Sequence, residues 1–490
     1  MINEMRPVPF GTELKNLLAE YRTKGTLEQV PVWKGPVSDR IGVAAGPHTQ
    51  TCQGIVACWA AGAGLIELKT IQTLYGKDLG IRKPCIDSGD EVYNTEWSSE
   101  FSAGTAAGEY IRAFLLIRLL SKELSIPRIP HFAASVGYDY KGITSPVVTG
   151  FIRTLQDASG NPEWQEDLAF VRANRDLFAN LTDGDVQDIV DHPCIAPVVT
   201  LSTMHGCPGS EIRDIVYYLL DTIGSDTRVK LNPTLVGFSL ADKLLKTRDF
   251  RDELSPSLFE KDPDIKAVQD IITDCLEKAR ECGHTFGVKL TNTLPVHAPG
   301  SDDSAARYLS GKALYPLSVQ TAALVASRCP DVPVSFSGGA DSVNTPELLR
   351  AGIRNVTICS LLLSPGGYRN LSRVQAAAAE AGTGEEGGTD LDALMKLSAE
   401  ASCSRRWRAS LAAKPAALHH PEIPAKTCAF CHSCVDVCPN RANVRVRTPS
   451  GEAVFHVPER CNACGVCACT CPLGRIPYEE KGTIDAIPTD

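Results

Sequence analysis

The sequence predicts an α/β protein: a (β/α)8 barrel followed by a small module crowded with cysteine. Three observations predict it. Eight short apolar or β-branched runs alternate with helix-like stretches from about Ile41 to Leu363. Such alternation packs as a parallel sheet, and eight strands close into a barrel. Nineteen cysteines are present, and nine of them fall between Cys428 and Cys471. The 490-residue length and 43% hydrophobic content allow a large core and roughly two to four domains. An open doubly wound sheet would show the same periodicity, so alternation alone leaves that architecture open.

Residues 1–40 form an N-terminal segment. The expected strands are Ile41–Ala45, Leu65–Lys69, Phe132–Val136, Pro197–Leu201, Arg228–Leu231, Phe286–Leu290, Val334–Phe336 and Val356–Cys359. One connecting helix reads closely. Ser210 suits its N-cap, Glu211 and Asp214 its first turn, and Ile212, Ile215, Val216, Leu219 and Leu220 make one apolar stripe. The barrel is expected over 41–375. Its main insertion, at about 139–195, is long and charged and is expected over the mouth. Smaller insertions are expected at Lys77–Phe101 and Ala298–Tyr315. All three follow strands, which puts them at the face where barrel enzymes do chemistry. Residues 376–420 read as a linker and a helix: Ala376–Thr389 is rich in Ala, Gly and Glu, and Leu391–Ala413 has helical character. Pro415–Pro424 approaches a compact module at 421–480, and 481–490 is a tail.

Charge narrows the function. Lys plus Arg is 49 and Asp plus Glu is 58, a net charge of −9, which argues against a nucleic-acid-binding surface over the whole chain. The best membrane candidate, Phe114 to Leu120, is short and broken by Arg118. Met1 to Phe10 lacks a basic start followed by an apolar run. The expectation is a cytoplasmic protein without a membrane span.

The cysteines carry the strongest motif. They read Cys428-x2-Cys431-x2-Cys434-x3-Cys438-Pro439, then Cys461-x2-Cys464-x2-Cys467-x3-Cys471-Pro472. This is the spacing of bacterial two-cluster ferredoxins. Thiolates this close each reach one iron of a cubane, and the wider last gap sends the fourth sulfur to the other cluster. One 4Fe-4S cluster is therefore expected on Cys428, Cys431, Cys434 and Cys471. The other is expected on Cys461, Cys464, Cys467 and Cys438. Cys469 is left over. Zinc usually takes four ligands from two CxxC pairs, which fits this tandem poorly. The ten remaining cysteines are scattered, mostly among apolar neighbours, as small buried hydrophobes.

The barrel has motifs of its own. Gly338-Gly339, after the seventh run, can present backbone N–H groups to a phosphate, or form only a tight turn. Lys69 ends the second run and Lys230 lies in the fifth. A lysine in a barrel strand either snorkels to the rim or points inward to hold an anion or an electron-rich ring. Two of them, with Asn292-Thr293 after the sixth run, make a polar centre.

These residues resemble the dihydroorotate and dihydropyrimidine dehydrogenase flavoproteins over most of Ile41–Ser360. The shared runs are Val43-Ala44-Ala45-Gly46-Pro47, Glu67-Leu68-Lys69-Thr70, Thr200 to Gly206, Val229-Lys230-Leu231, Thr291-Asn292-Thr293, Ser337-Gly338-Gly339 and Ile358-Cys359-Ser360. A barrel followed by a two-cluster ferredoxin-like domain is similar to the C-terminal half of dihydropyrimidine dehydrogenase. Within that family, His48-Thr49-Gln50, Asn94-Thr95-Glu96-Trp97, Leu201 to Pro208 and Pro365-Gly366-Gly367-Tyr368 most resemble the selenate-reductase-type flavin subunits of enteric bacteria. That family name reflects a phenotype, and selenate is not adopted as substrate.

The resemblance implies FMN in the barrel. Ala44, Ala45 and Gly46 would pass beside the ring. Lys69 and Lys230 would face its N1–O2 edge. Gly338, Gly339, Cys359 and Ser360 would hold the phosphate, and Asn292 and Thr293 would face the substrate. The departures matter as much. The pyrimidine enzymes carry an Asn-Leu-Ser-Cys-Pro-His-Gly run, where this chain has Thr200 for the Asn and Thr203 for the catalytic Cys. A Thr hydroxyl is a poor acid at neutral pH, so Cys207 ranks first and His205 second as proton donor. Cys207-Pro208 can equally just start the next helix. Asp139 stands where the pyrimidine enzymes carry a substrate Asn, and a carboxylate only accepts where an amide also donates. Simple uracil is disfavoured, and another nitrogen heterocycle such as an oxidised purine is favoured.

The expected reaction is reduction of a C=C or C=N bond in such a ring, or its reverse. No Gly-x-Gly-x-x-Gly follows a strand, so NAD(P)H is not expected to bind this chain. Electrons would arrive from a partner, either an FAD- and NAD(P)H-using subunit or a ferredoxin, in a hetero-oligomer. Rival classes are an electron-relay subunit without a substrate, an iron–sulfur scaffold without flavin, and an oxyanion reductase of the selenate type.

Overall fold

All eight expected runs are strands, and they close. The computed structural model of the chain describes residues 5–22, 29–89, 91–94, 99–203, 205–301, 307–381, 388–409, 428–449 and 451–484. The barrel strands are β1 Ile41–Val43, β2 Leu65–Glu67, β3 His131–Gly137, β4 Val198–Ser202, β5 Asp226–Leu231, β6 Phe286–Leu290, β7 Val334–Phe336 and β8 Asn355–Ile358. Each pairs in parallel with its sequence neighbours, and β8 returns to β1. Closure removes the open-sheet alternative. Phe132 faces the outer helices, where its ring meets Phe114 at 5.9 Å between centroids. Alternation then turns Ala133 and Ser135 inward.

The insertions behave differently from one another. Residues 139–195 are mostly helical, and their helices pack against the long outer helix Ala103–Glu123. Trp164 stacks on Phe114, and Phe151 meets Tyr110 edge-on. This corrects the expectation that the segment roofs the mouth: its apolar faces need a partner, and the barrel's flank supplies it. The two smaller insertions do reach the mouth. Ile86–Ser88, Val92–Asn94, Arg307–Ser310 and Leu294–Val296 form one antiparallel four-stranded sheet.

Helix boundaries shift in places. The helix after β4 starts at Gly209 with Pro208 as its cap residue, so Ser210 lies inside the first turn. The expected linker at Ala376 is still helix, since Arg369–Ala381 is continuous, and residues 382–387 lie outside the described residues. The next helix, Leu391–Cys403, ends before Ala413 and packs on the barrel helix Tyr315–Arg328. It therefore belongs to the barrel's outer layer. Thr95 to Trp97, Met204, Pro415–Pro424 and the end of the tail lie outside the described residues. No described helix is long and apolar enough to cross a membrane.

The C-terminal module is built on the hairpin Asn443–Thr448 and Gly451–His456. It docks through buried polar contacts. Arg460 Nη2 pairs with Glu13 Oε2 at 2.7 Å, with both side chains at most 3% exposed. Arg441 pairs with Glu20 on the same N-terminal helix, Phe10–Arg22. Tyr368 Oη donates to the Pro439 carbonyl at 2.7 Å. Ile86 N of the mouth sheet donates to the Cys464 carbonyl at 2.9 Å.

Candidate functional site

The C-terminal ends of the barrel strands surround a cavity. Ala44, Ala45 and Gly46 enter it after β1, Lys69 after β2, Ser202 from β4 and Lys230 from β5. Asn292 and Thr293 follow β6, Gly338 follows β7, and Cys359 and Ser360 follow β8. Val92, Asn94, Tyr308 and Ser310 close it from the mouth sheet. An adjoining space of about 690 Å³ reaches Gly339, Cys359 and Ser360. Every residue that the resemblance implies for FMN thus borders one or both of these two spaces, which share Cys359 and Ser360.

Two glycines make room for it. A Cβ on Gly46 would lie 2.3 Å from Cys359 Sγ. A Cβ on Gly338 would lie 1.8 Å from Ser318 Oγ, which is itself held 2.8 Å from Thr291 Oγ1. Bare backbone at these points keeps side chains out of the space that a ligand would fill. These residues fit FMN: a two-glycine turn for phosphate, lysines at the opposite wall, and small residues where a flat ring would lie.

Asn292 is held firmly. Its Oδ1 accepts from Ser202 Oγ at 3.0 Å, and its Nδ2 donates to Asn232 Oδ1 at 2.7 Å. His205 is held just as well. Its Nδ1 lies 2.7 Å from Asp262 Oδ2, and its Nε2 lies 3.3 Å from the Thr293 carbonyl. Both ring nitrogens face oxygen acceptors, which a doubly protonated ring satisfies with two N–H donors. Asp262 also accepts from Gly206 N at 2.6 Å, Thr234 Oγ1 at 2.7 Å and Asn232 Nδ2 at 3.0 Å. Burial works to raise the Asp262 carboxyl, but the His205 contact and these donors outweigh it and hold it below the usual carboxylate range.

The other expected site residues lie elsewhere. Cys207 is 4% exposed, and its Sγ points to the Pro208 carbonyl. Burial, then Glu211, Asp139 and Asp262, pushes its thiol up to about 12. Thr200 is buried inside the barrel with its hydroxyl unpartnered. Asp139 caps the short helix Tyr140–Ile143 by accepting from Gly142 N at 2.7 Å. Thr203 is buried beside the loop that carries His205. None of these four borders the cavity, and His205 reaches it only through its contact with Thr293, which does.

Four charged residues escaped the sequence reading. Glu67 and Lys289 form an ion pair inside the barrel, with both side chains at most 2% exposed, and Arg228 lies near them. The argument applied to Lys69 and Lys230 extends to Lys289, which also sits in a strand. Asp262 carries no local signal at all.

In the module, Cys428, Cys431, Cys434 and Cys471 border one space of about 390 Å³. Burial, and then neighbouring thiols that include Cys438, raises the thiols of Cys461, Cys464 and Cys467, while Cys438 also raises Cys434 across the two groups. Cys471 thus joins Cys428, Cys431 and Cys434, and Cys438 lies near cysteines of both runs. Eight thiols in two such groups suit a soft, multi-iron centre, which would hold them ionised. Among the described residues, no three His, Cys, Asp or Glu side chains converge as for a single metal ion. Cys469 turns away, with its Sγ 3.7 Å from Asp87 Oδ1.

Comparison with known proteins agrees with this architecture. The protein YgfK of Escherichia coli (strain K12) is 36% identical over 405 residues, which span 75% of this chain and 38% of YgfK. The protein of the same name from Escherichia coli O157:H7 matches equally. The chain thus spans well under half the length of these relatives. Two DHODH crystal structures from Eimeria tenella, one ligand-free and one with ferulenol, align at 14% identity with TM-scores of 0.42 and 0.38. They cover 78% and 80% of this chain, and 97% and 96% of their own chains. Those superpositions are too loose to bear on function. The family model described as "Oxidoreductase YgfK, N-terminal TIM-barrel domain" matches residues 15–408, and the chain belongs to that family.

Proposed function

We propose that this chain is the FMN- and iron–sulfur-bearing part of an oxidoreductase that reduces, or in reverse oxidises, a C=C or C=N bond of a nitrogen heterocycle. One observation carries the reading. Residues from the ends of separate strands, implied by the resemblance to hold FMN, border two adjoining spaces at the barrel mouth. FMN bound there would supply hydride transfer at its N5. Two 4Fe-4S clusters in the module would pass it single electrons from a partner. That partner is an FAD- and NAD(P)H-using subunit or a ferredoxin, and the complex works in the reducing cytoplasm.

The chain's own residues then have distinct tasks. Ala44, Ala45 and Gly46 give the ring a flat wall. Lys69 and Lys230 favour negative charge at its far edge. Gly338, Gly339, Cys359 and Ser360 receive the phosphate. Asn292, fixed by Ser202 and Asn232, presents its remaining lone pair to an N–H edge of the substrate. His205 is the better proton donor. Its Nε2 faces the Thr293 carbonyl at the cavity border, while Cys207 is buried away from it.

The test is anaerobic purification with flavin and iron analysis, then dithionite reduction and a screen of pyrimidines and purines for reoxidation. FMN, about eight iron atoms per chain and reoxidation by one heterocycle are expected. A protein holding neither flavin nor iron defeats the reading. One observation favours a second reading, a relay subunit without a substrate: the residue replacing the family's catalytic cysteine, Thr203, does not border the cavity. A heterocycle that perturbs the flavin spectrum rules the relay out.

A further inference from the structure

Filled barrels pack bulky branched side chains in layers along their axis. This barrel instead carries charge beneath its mouth. Lys230 on β5 and Lys289 on β6 stand opposite one another in register. Arg228 lies two residues before Lys230 on the same strand, and therefore on the same face. Lys69 approaches from the other wall and is 2% exposed. Glu67, after its neighbour Ile66 on β2, is the carboxylate these cations share. Its Oε2 pairs with Lys289 and also accepts from Ala45 N at 3.4 Å. Ala45 and Lys230 border the cavity, whereas Glu67 and Lys289 lie just below its floor.

Lys230, Lys289 and Arg228 around one carboxylate, with Lys69 beside Lys230, leave a surplus of positive charge in a poorly solvated interior, where burial lowers the pKa of Lys230 and Arg228 and brings that of Lys289 to about 8. Such charge is costly unless an anion meets it. Burial works to raise the Glu67 carboxyl, but Lys289, then Lys230 and Arg228, hold it below the usual range, so it stays ionised. Its charge offsets part of the field that reaches the cavity.

We propose that Glu67 and Lys289 are positioning residues that set the reduction potential of the flavin. Glu67 tempers the combined field of Lys69, Lys230 and Arg228 at the cavity floor, and Lys289 fixes Glu67 beneath the Ala45 amide. The inference rests on the FMN reading and goes beyond it. Reduction adds negative charge to the ring, so a more positive floor favours the reduced form and a less positive floor the oxidised form.

The experiment is spectroelectrochemical titration of the FMN-loaded full chain. Glu67→Gln is expected to move the reduced-to-oxidised ratio at fixed potential about tenfold toward reduced, a rise of about 30 mV for a two-electron couple. Lys289→Met is expected to move it about as far the other way. The double variant removes one charge of each sign, and its ratio should return to within about threefold of the parent. Bound FMN with an unmoved potential in both single variants overturns the inference. A parent chain that retains no FMN overturns the cofactor reading instead. Should the single variants not fold, Glu67→Asp carries the test. It withdraws the carboxylate by one methylene, a smaller rise is expected, and no rise overturns the inference.

Discussion

His205 and Asp262 lie 57 residues apart in sequence and 2.7 Å apart in space. Four donors converge on the Asp262 carboxylate, which fixes the imidazole plane and turns its other nitrogen toward Thr293. The loop from Thr200 to Pro208 therefore carries a histidine anchored at both ring nitrogens.

If His205 donates the proton, His205→Asn lowers turnover by about 10²–10⁴-fold, the usual worth of a positioned acid. Cys207→Ala leaves turnover within a few-fold. Asp262→Asn removes the ring's anchor and gives a large part of the His205 effect. Steady-state rates with the heterocycle found by the reoxidation screen decide it, and a dead Cys207→Ala with an active His205→Asn reverses the assignment.

Gly46 is the tightest approach at the ring wall. Gly46→Ala sets a methyl against Cys359 Sγ, and overpacking of that kind costs about 1–3 kcal/mol. FMN affinity should fall about tenfold or more. Removing the sulfur with Cys359→Ala in the same chain should restore most of it. Fluorimetric FMN titration of the apoprotein reads both.

Cys471 closes the space lined by Cys428, Cys431 and Cys434, despite its distance along the chain. Cys471→Ser should lower iron from about eight to about four or five atoms per chain while leaving the other cluster's absorption in place. Loss of the cluster assigned to Cys461, Cys464 and Cys467 instead would mean that the sets do not cross.

His48 is fully buried edge-on to Tyr368, whose hydroxyl anchors the module at Pro439. Burial lowers its pKa to about 3, against the usual 6.5. The unfolded chain therefore binds a proton that the folded chain refuses. Its share of stability is complete above about pH 6.5 and falls as pH drops toward 3, by at most about 1.4 kcal/mol per pH unit. His48→Phe should flatten that part of the acid limb in urea titrations. A parallel profile in both proteins would show that His48 does not carry it.

Local sequence determined much of this protein. Apolar runs between helical stretches named the eight strands because a parallel strand covered on both faces reads as a short continuous apolar run. Cysteine spacing named both thiol groups because chelation depends on short loops. The residues proposed to hold FMN were brought together because each sits at a strand end, and closure carries strand ends to one mouth. Only the tertiary structure decided what each charge meets. Glu67 reaches Lys289 across 222 residues, and no spacing rule links them. Asp139 and Cys207 were plausible site residues by alignment, yet one is spent on a helix cap and the other is buried at a helix start. The physical reason is the same throughout. Periodicity and chelate spacing are properties of neighbours along the chain, whereas burial and charge pairing depend on which distant segments the closed barrel brings against them.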